Sequence, residues 1–181
     1  MSLFSKFDEL AERRKALDAT GAKPFDVVVE RIISPTEAVV NGQHMIMAGT
    51  NNYLGLTFDP DCVEAAREAV AKEGTGTTGS RMANGTFASH VGLERDIAEF
   101  FGRQSAIVFS TGYLANLGIL SALTDRNDVI LLDGDCHASI FDGCKMSGAE
   151  VIRFRHNDAE DLAKRLLRLG DRAANALIVI E

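Results

Sequence analysis

Positive charge is in short supply: 19 lysines and arginines face 26 aspartates and glutamates in 181 residues, giving a net charge of −7. No broad basic field is therefore available for nucleic acid or an anionic membrane surface, and an anionic ligand needs local donors. Long apolar runs are also missing. Nothing approaches the ~20 residues that cross a bilayer, and Met1-Ser2-Leu3-Phe4-Ser5-Lys6-Phe7-Asp8-Glu9 breaks its apolar content with charge too early for a signal-peptide core. The expectation is a cytoplasmic protein with no integral membrane segment. Cys62, Cys136 and Cys144 are odd in number and lack close pairing or zinc-type spacing, which fits a reducing compartment better than a disulfide framework. Cys136 has no identifiable activating base, which argues against a thiol nucleophile. What is present is ordinary for a globular domain with a real core: 46% hydrophobic and 25% charged residues.

Phe4, Phe7, Leu10, Ala11 and Leu17 fall at helical spacing among charged residues, predicting an amphipathic arm ended by Gly21 and Pro24. Val27-Val28-Val29 and Ile32-Ile33 predict a strand, and Asn41-Gly42 within 38–46 predicts a hairpin with a type I′ turn. Residues 1–50 thus read as an arm and a small β ribbon. From Pro60 the pattern alternates helix and strand: helices near 60–72 and 90–101, a buried strand at 106–109, and a helix at 113–123. A strand at 129–132, a helix after His137, a strand at 151–154, a helix at 159–169 and a strand at 176–180 follow. Asn157 is placed to cap the last helix, with Glu160 as its capping-box partner. Such repetition predicts an α/β fold, a mainly parallel sheet covered by helices, whose ligands bind beyond the carboxyl ends of the strands.

Two loops occupy that position. Phe109-Ser110-Thr111-Gly112-Tyr113-Leu114-Ala115-Asn116 joins a strand to a helix. Ser110 and Thr111 offer hydroxyls, Gly112 removes a Cβ, and the amides of Gly112 and Tyr113 lie in the first helical turn, where an anion is favoured. The alternative is an ordinary turn with a capping hydroxyl. Asp135-Cys136-His137-Ala138-Ser139-Ile140 opens the next helix after a hydrophobic strand, so His137 faces the same crevice. Its imidazole can stack on a planar ring and hydrogen-bond a carboxylate, or simply cap the helix. Tyr113 could contact the same ring. His44, His90 and His156 read as surface or capping residues.

Gly74-Thr75-Gly76-Thr77-Thr78-Gly79-Ser80-Arg81 lacks the lysine of a P-loop and the context of a dinucleotide fingerprint. It suits close backbone approach to a ligand or a subunit boundary, or a flexible linker. Arg81 could bind a carboxylate or phosphate, or form a structural ion pair. In Asn51-Asn52-Tyr53-Leu54-Gly55-Leu56, Asn52 and Tyr53 could orient a substrate or satisfy backbone groups at a domain junction.

Taken together, these motifs and Arg153-Phe154-Arg155-His156-Asn157 resemble, in order and spacing, the α-oxoamine synthase family of pyridoxal phosphate enzymes. The resemblance implies the aspartate-aminotransferase-like (fold type I) transferase fold, with residues 51–181 as the first part of the large cofactor-binding domain. It implies a homodimer with active sites at the subunit boundary, and decarboxylative condensation of an amino acid with an acyl thioester. By position, Gly112 and Tyr113 would hold the phosphate of pyridoxal 5′-phosphate, with Ser110 and Thr111 beside it. His137 would stack on the pyridine and orient the carboxylate. The glycine-rich and Phe-Ser-Thr-Gly-Tyr wording is most similar to members that join L-serine to a long-chain acyl thioester, giving a 3-oxo sphingoid base; members using glycine or alanine are the alternative. The family's cofactor-bearing lysine, its pyridine-pairing aspartate and a second histidine have no counterpart here, and Lys6, Lys15, Lys23, Lys72, Lys145 and Lys164 match no such motif. The chain accordingly reads as the N-terminal portion of such an enzyme, or as a non-catalytic subunit or fragment.

Overall fold

A computed structural model describes residues 3–21 and 27–181. Pro24, expected to end the arm, lies outside the described residues. The chain divides into two compact units, Met1–Thr78 and Gly79–Glu181.

In the first unit, a 3₁₀ turn at Ser5–Phe7 leads into α1, Asp8–Ala19. The arm's apolar side chains Phe7, Leu10 and Leu17 stay exposed. Three antiparallel strands follow, β1 (Val29–Ser34), β2 (Glu37–Val40) and β3 (Gln43–Ile46), in the order β1-β2-β3. The expected hairpin turn is present, with φ of 49° at Asn41 and 74° at Gly42, the left-handed pair that a type I′ turn requires. Ala38 and Val40 of β2 form the buried side of the ribbon. Helix α2, Pro60–Glu73, starts with proline at its first position, and the Asp59 carboxylate accepts from the amides of Asp61 (3.0 Å) and Cys62 (3.2 Å).

The second unit holds α3 (Ala88–Phe100), α4 (Gly112–Leu123), β4 (Val129–Asp133), α5 (Ala138–Ser147), β5 (Glu150–Phe154), α6 (Ala159–Leu169) and β6 (Ala176–Val179). β4 lies between β5 and β6, and both pairings are parallel, with Val129 opposite Glu150 and Ala176. Val129-Ile130-Leu131-Leu132 is at most 1% exposed, and burying each such side chain contributes about 1.5–3 kcal/mol. Leu120 of α4 and Ile140 and Cys144 of α5 close over Ile130 and Leu132. Gly143 lets the two helices meet: a Cβ there would lie 2.9 Å from Leu120 Cδ1 and 3.0 Å from the Asn116 carbonyl oxygen.

Two sequence expectations need correction. Residues 106–109 are not a strand, and Ile107 is 71% exposed. A strand needs a neighbouring backbone, and no strand pairs with this segment among the described residues; the Val108 amide instead donates to Glu94 Oε1 at 3.0 Å. Asn157 is not the cap of α6. Its φ is 53°, in the left-handed region that asparagine tolerates, and the Asp158 carboxylate caps the helix by accepting from the Asp161 amide at 2.8 Å.

Candidate active site

The carboxyl end of β4 is organised by a buried carboxylate. Asp133 is 3% exposed and accepts from the Asp135 amide (2.9 Å), His156 Nδ1 (2.8 Å) and the Asn157 amide (3.1 Å). These donors, the Asp135 amide first, hold its carboxyl below the usual carboxylate range against the opposing effect of burial, while Asp133 raises the pKa of His156. Arg153 adds a second tie, its guanidinium donating to the Gly134 carbonyl at 2.6 Å. Four groups from two segments thereby fix the turn that carries His137. Sequence reasoning passed over this arrangement, giving His156 only a surface or capping role. The available signal was a hydrophobic strand ending in Asp133, followed by His-Asn after the next strand.

His137 is exposed and is the N-cap of α5. The Ser139 amide donates to its Nδ1 at 3.2 Å, and the Ser139 hydroxyl lies 2.8 Å from the same nitrogen. The His137 amide donates to the Glu181 carboxylate. The capping role and a ligand-facing role are thus compatible, because the cap uses Nδ1 and leaves Nε2 outside it.

Thr111 is the N-cap of α4, its hydroxyl oxygen accepting from the Leu114 amide at 3.1 Å. The capping alternative therefore holds for Thr111, yet it leaves the amides of Gly112 and Tyr113 without intrahelical acceptors. Gly112 has no left-handed φ, and a Cβ built on it would meet nothing within 4 Å. Neither backbone conformation nor packing within the chain demands a glycine here. A doubly charged phosphate ester suits that donor set of helix-terminal amides and adjacent hydroxyls.

The two loops are joined through their helices. Asn116 Nδ2 donates to the Ser139 hydroxyl at 2.9 Å, and the Tyr113 hydroxyl donates to Asp142 Oδ2 at 2.5 Å. The bond to Asp142 pushes the Tyr113 phenol above its ordinary pKa, keeping it protonated. Ser110, Thr111, Gly112, Tyr113 and His137 therefore stand at the first turns of two adjacent helices.

Arg81 is engaged elsewhere in the unit. Its guanidinium pairs with both oxygens of Glu94 at 2.9 and 3.1 Å and donates to Thr86 Oγ1 at 3.1 Å. The Val108 amide first, and Arg81 second, lower the Glu94 pKa. Asn52 and Tyr53 belong to the first unit. The Asn52 side chain accepts from the Thr57 amide at 3.4 Å, and Tyr53 is 86% exposed, donating to Asn51 Oδ1 at 3.4 Å. Cys136 and Cys144 are buried free thiols with pKa values raised by burial, which agrees with a packing role. No cluster of metal-ligating side chains and no helix long and apolar enough to cross a membrane occurs among the described residues.

Comparison with known proteins gives the same direction. The aminotransferase class I and II family matches residues 43–181. The serine palmitoyltransferase of Caulobacter vibrioides is 57% identical over 181 residues, covering 100% of this chain and 45% of that protein. The structure of the Sphingomonas wittichii serine palmitoyltransferase superposes with a TM-score of 0.93 at 51% identity, covering 98% of this chain and 45% of the other. A lysine-to-alanine variant of the S. paucimobilis enzyme, bound to a PLP–myriocin aldimine, gives 0.90 at 53% identity over 93% of this chain and 43% of the other. The chain spans about half the length of the curated relatives it matches. It belongs to the aminotransferase class I and II family, in the α-oxoamine synthase branch that contains the serine palmitoyltransferases.

Proposed function

We propose that this chain supplies the phosphate-holding and ring-facing part of a serine palmitoyltransferase, which condenses L-serine with a long-chain acyl thioester, releasing carbon dioxide and the carrier thiol, to give a 3-oxo sphingoid base. One observation carries the reading: the helix whose first turn holds the amides of Gly112 and Tyr113 is tied, through Asn116 and Ser139, to the imidazole of His137. The names and fold of the relatives support it. The cofactor is pyridoxal 5′-phosphate, which when bound supplies an electron sink for the α-carbon of the amino acid. Gly112 and Tyr113 hold the phosphate through backbone N–H groups. Thr111 accepts from Leu114 with its oxygen and so keeps its own O–H free to donate, and Ser110 adds a second hydroxyl beside it. His137 would face the cofactor ring and, through Nε2–H, would orient the serine carboxylate. Asn52 and Tyr53 of the first unit, and Arg81 of the second, which pairs with Glu94, are the residues we assign to substrate binding.

The same proposal makes the enzyme a cytoplasmic homodimer with its site at the subunit boundary. Residues 1–50 serve as arm and ribbon, and residues 51–181 begin the cofactor domain. The test is product analysis of the full-length protein with pyridoxal phosphate, a long-chain acyl thioester, and serine, glycine or alanine in parallel. Serine is expected to give the 3-oxo sphingoid base. A dominant glycine or alanine product, or no condensation at all, overturns the assignment.

A further inference from the structure

We infer that Ser139 and Asn116 are positioning residues that lock His137 into one tautomer, with the ring proton on Nε2 facing outward. The inference deepens the synthase reading above and rests on it for the chemistry, while the tautomer itself follows from donor geometry.

A backbone amide can only donate, so the Ser139 N–H, 3.2 Å from His137 Nδ1, requires that nitrogen to carry a lone pair. Neutral imidazole then places its single proton on Nε2. The Ser139 hydroxyl, 2.8 Å from the same Nδ1, has one hydrogen and must choose a direction. Asn116 makes the choice: its Nδ2 can only donate, and it does so to the Ser139 oxygen at 2.9 Å. With an incoming donor on one side, the hydroxyl hydrogen turns toward Nδ1. Ser139 itself is fully buried, which limits competition from water at its hydroxyl.

The bonds have a consequence beyond capping. Asn116 stands one turn into α4, whose first amides are those of Gly112 and Tyr113. The orientation of His137 is thus referred to the same helix that holds the anion, and not only to its own turn. Gly143 keeps α4 and α5 close enough for this contact. An imidazole locked in this way presents a donor, never an acceptor, to a carboxylate placed before it, which suits orienting a carboxylate and excludes general-base work by Nε2 in the neutral ring.

The test uses the full-length protein, with ring-¹⁵N-labelled histidine and His137 assigned by its loss in His137→Gln. Long-range ¹H–¹⁵N spectra of the cofactor-free protein are expected to show an unprotonated Nδ1 and a protonated Nε2 for His137. Ser139→Ala is expected to broaden or shift these signals and, in the loaded enzyme, to lower kcat about tenfold, the scale of one lost hydrogen bond. Pyridoxal phosphate affinity should stay within about twofold, because Ser139 donates to His137 and not to the phosphate. A proton on Nδ1 in the unaltered protein overturns the inference whatever the protein catalyses. So does Ser139→Ala with unchanged His137 signals, or with a fall confined to cofactor affinity. Failure of the synthase reading appears separately, as absence of condensation with the tautomer intact.

Discussion

At the scale of single residues, the central contrast is between groups whose role the chain explains and groups it leaves open. Asp133 belongs to the first kind, a buried carboxylate satisfied by two amides and an imidazole. Its lowered pKa contributes stability above the ordinary carboxylate value that is lost as pH falls through the depressed one. The raised pKa of His156 acts in the opposite sense: its contribution is complete below the ordinary value of ~6.5 and is lost as pH rises through the folded value. The charged pair is therefore at full strength between the two. Titration of His156 by NMR should give a midpoint above its ordinary value, and Asp133→Asn should return it toward that value. An unmoved midpoint contradicts the pairing. Gly112 belongs to the second kind, a glycine that neither φ nor neighbours require. Gly112→Val is expected to leave chemical denaturation within about 1 kcal/mol, since valine is no worse than glycine in a helix. It should weaken pyridoxal phosphate binding more than about tenfold, the scale of one charge-assisted hydrogen bond. Equal losses in folding and binding would make Gly112 a structural residue only.

At the scale of elements, the meeting of α4 and α5 decides whether the two loops act together. Gly143→Val puts side-chain atoms where the Asn116 carbonyl and Leu120 already sit, and overpacking of this kind costs about 1–3 kcal/mol. Urea unfolding should register that loss, and a cost near zero would show that the helices need not be so close. For α6, Asp158→Ala should cost about 1 kcal/mol in the same assay through loss of the cap on the Asp161 amide. No change would mean that the cap contributes nothing.

These elements also show what sequence can carry. Helices with strong periodicity and the Asn41-Gly42 hairpin were legible because their causes are local. The strand expected at 106–109 was not, because an apolar run of strand length acquires a ladder only from a partner, and among the described residues it has none. Asn157 illustrates a competition between two residues with capping side chains: the Asn157 amide goes to Asp133, and the neighbouring Asp158 takes the cap.

At the scale of the whole molecule, the acidic balance and the local donor site answer one another. The net charge of −7 on this chain disfavours a general attraction for anions, and the proposed phosphate site accordingly relies on oriented amides and hydroxyls rather than on a basic field. The two loops could be picked out in the sequence, since each opens a helix after apolar residues. Their connection could not, since Asn116 to Ser139 spans 23 residues and Tyr113 to Asp142 spans 29. Such pairs arise only when α4 and α5 pack over β4. The most direct test of the account is a crystal structure of the full-length protein with pyridoxal 5′-phosphate. It predicts phosphate oxygens hydrogen-bonded to the amides of Gly112 and Tyr113, with the His137 imidazole against the ring. A phosphate held by other groups, or a His137 side chain turned away from the cofactor, would contradict it.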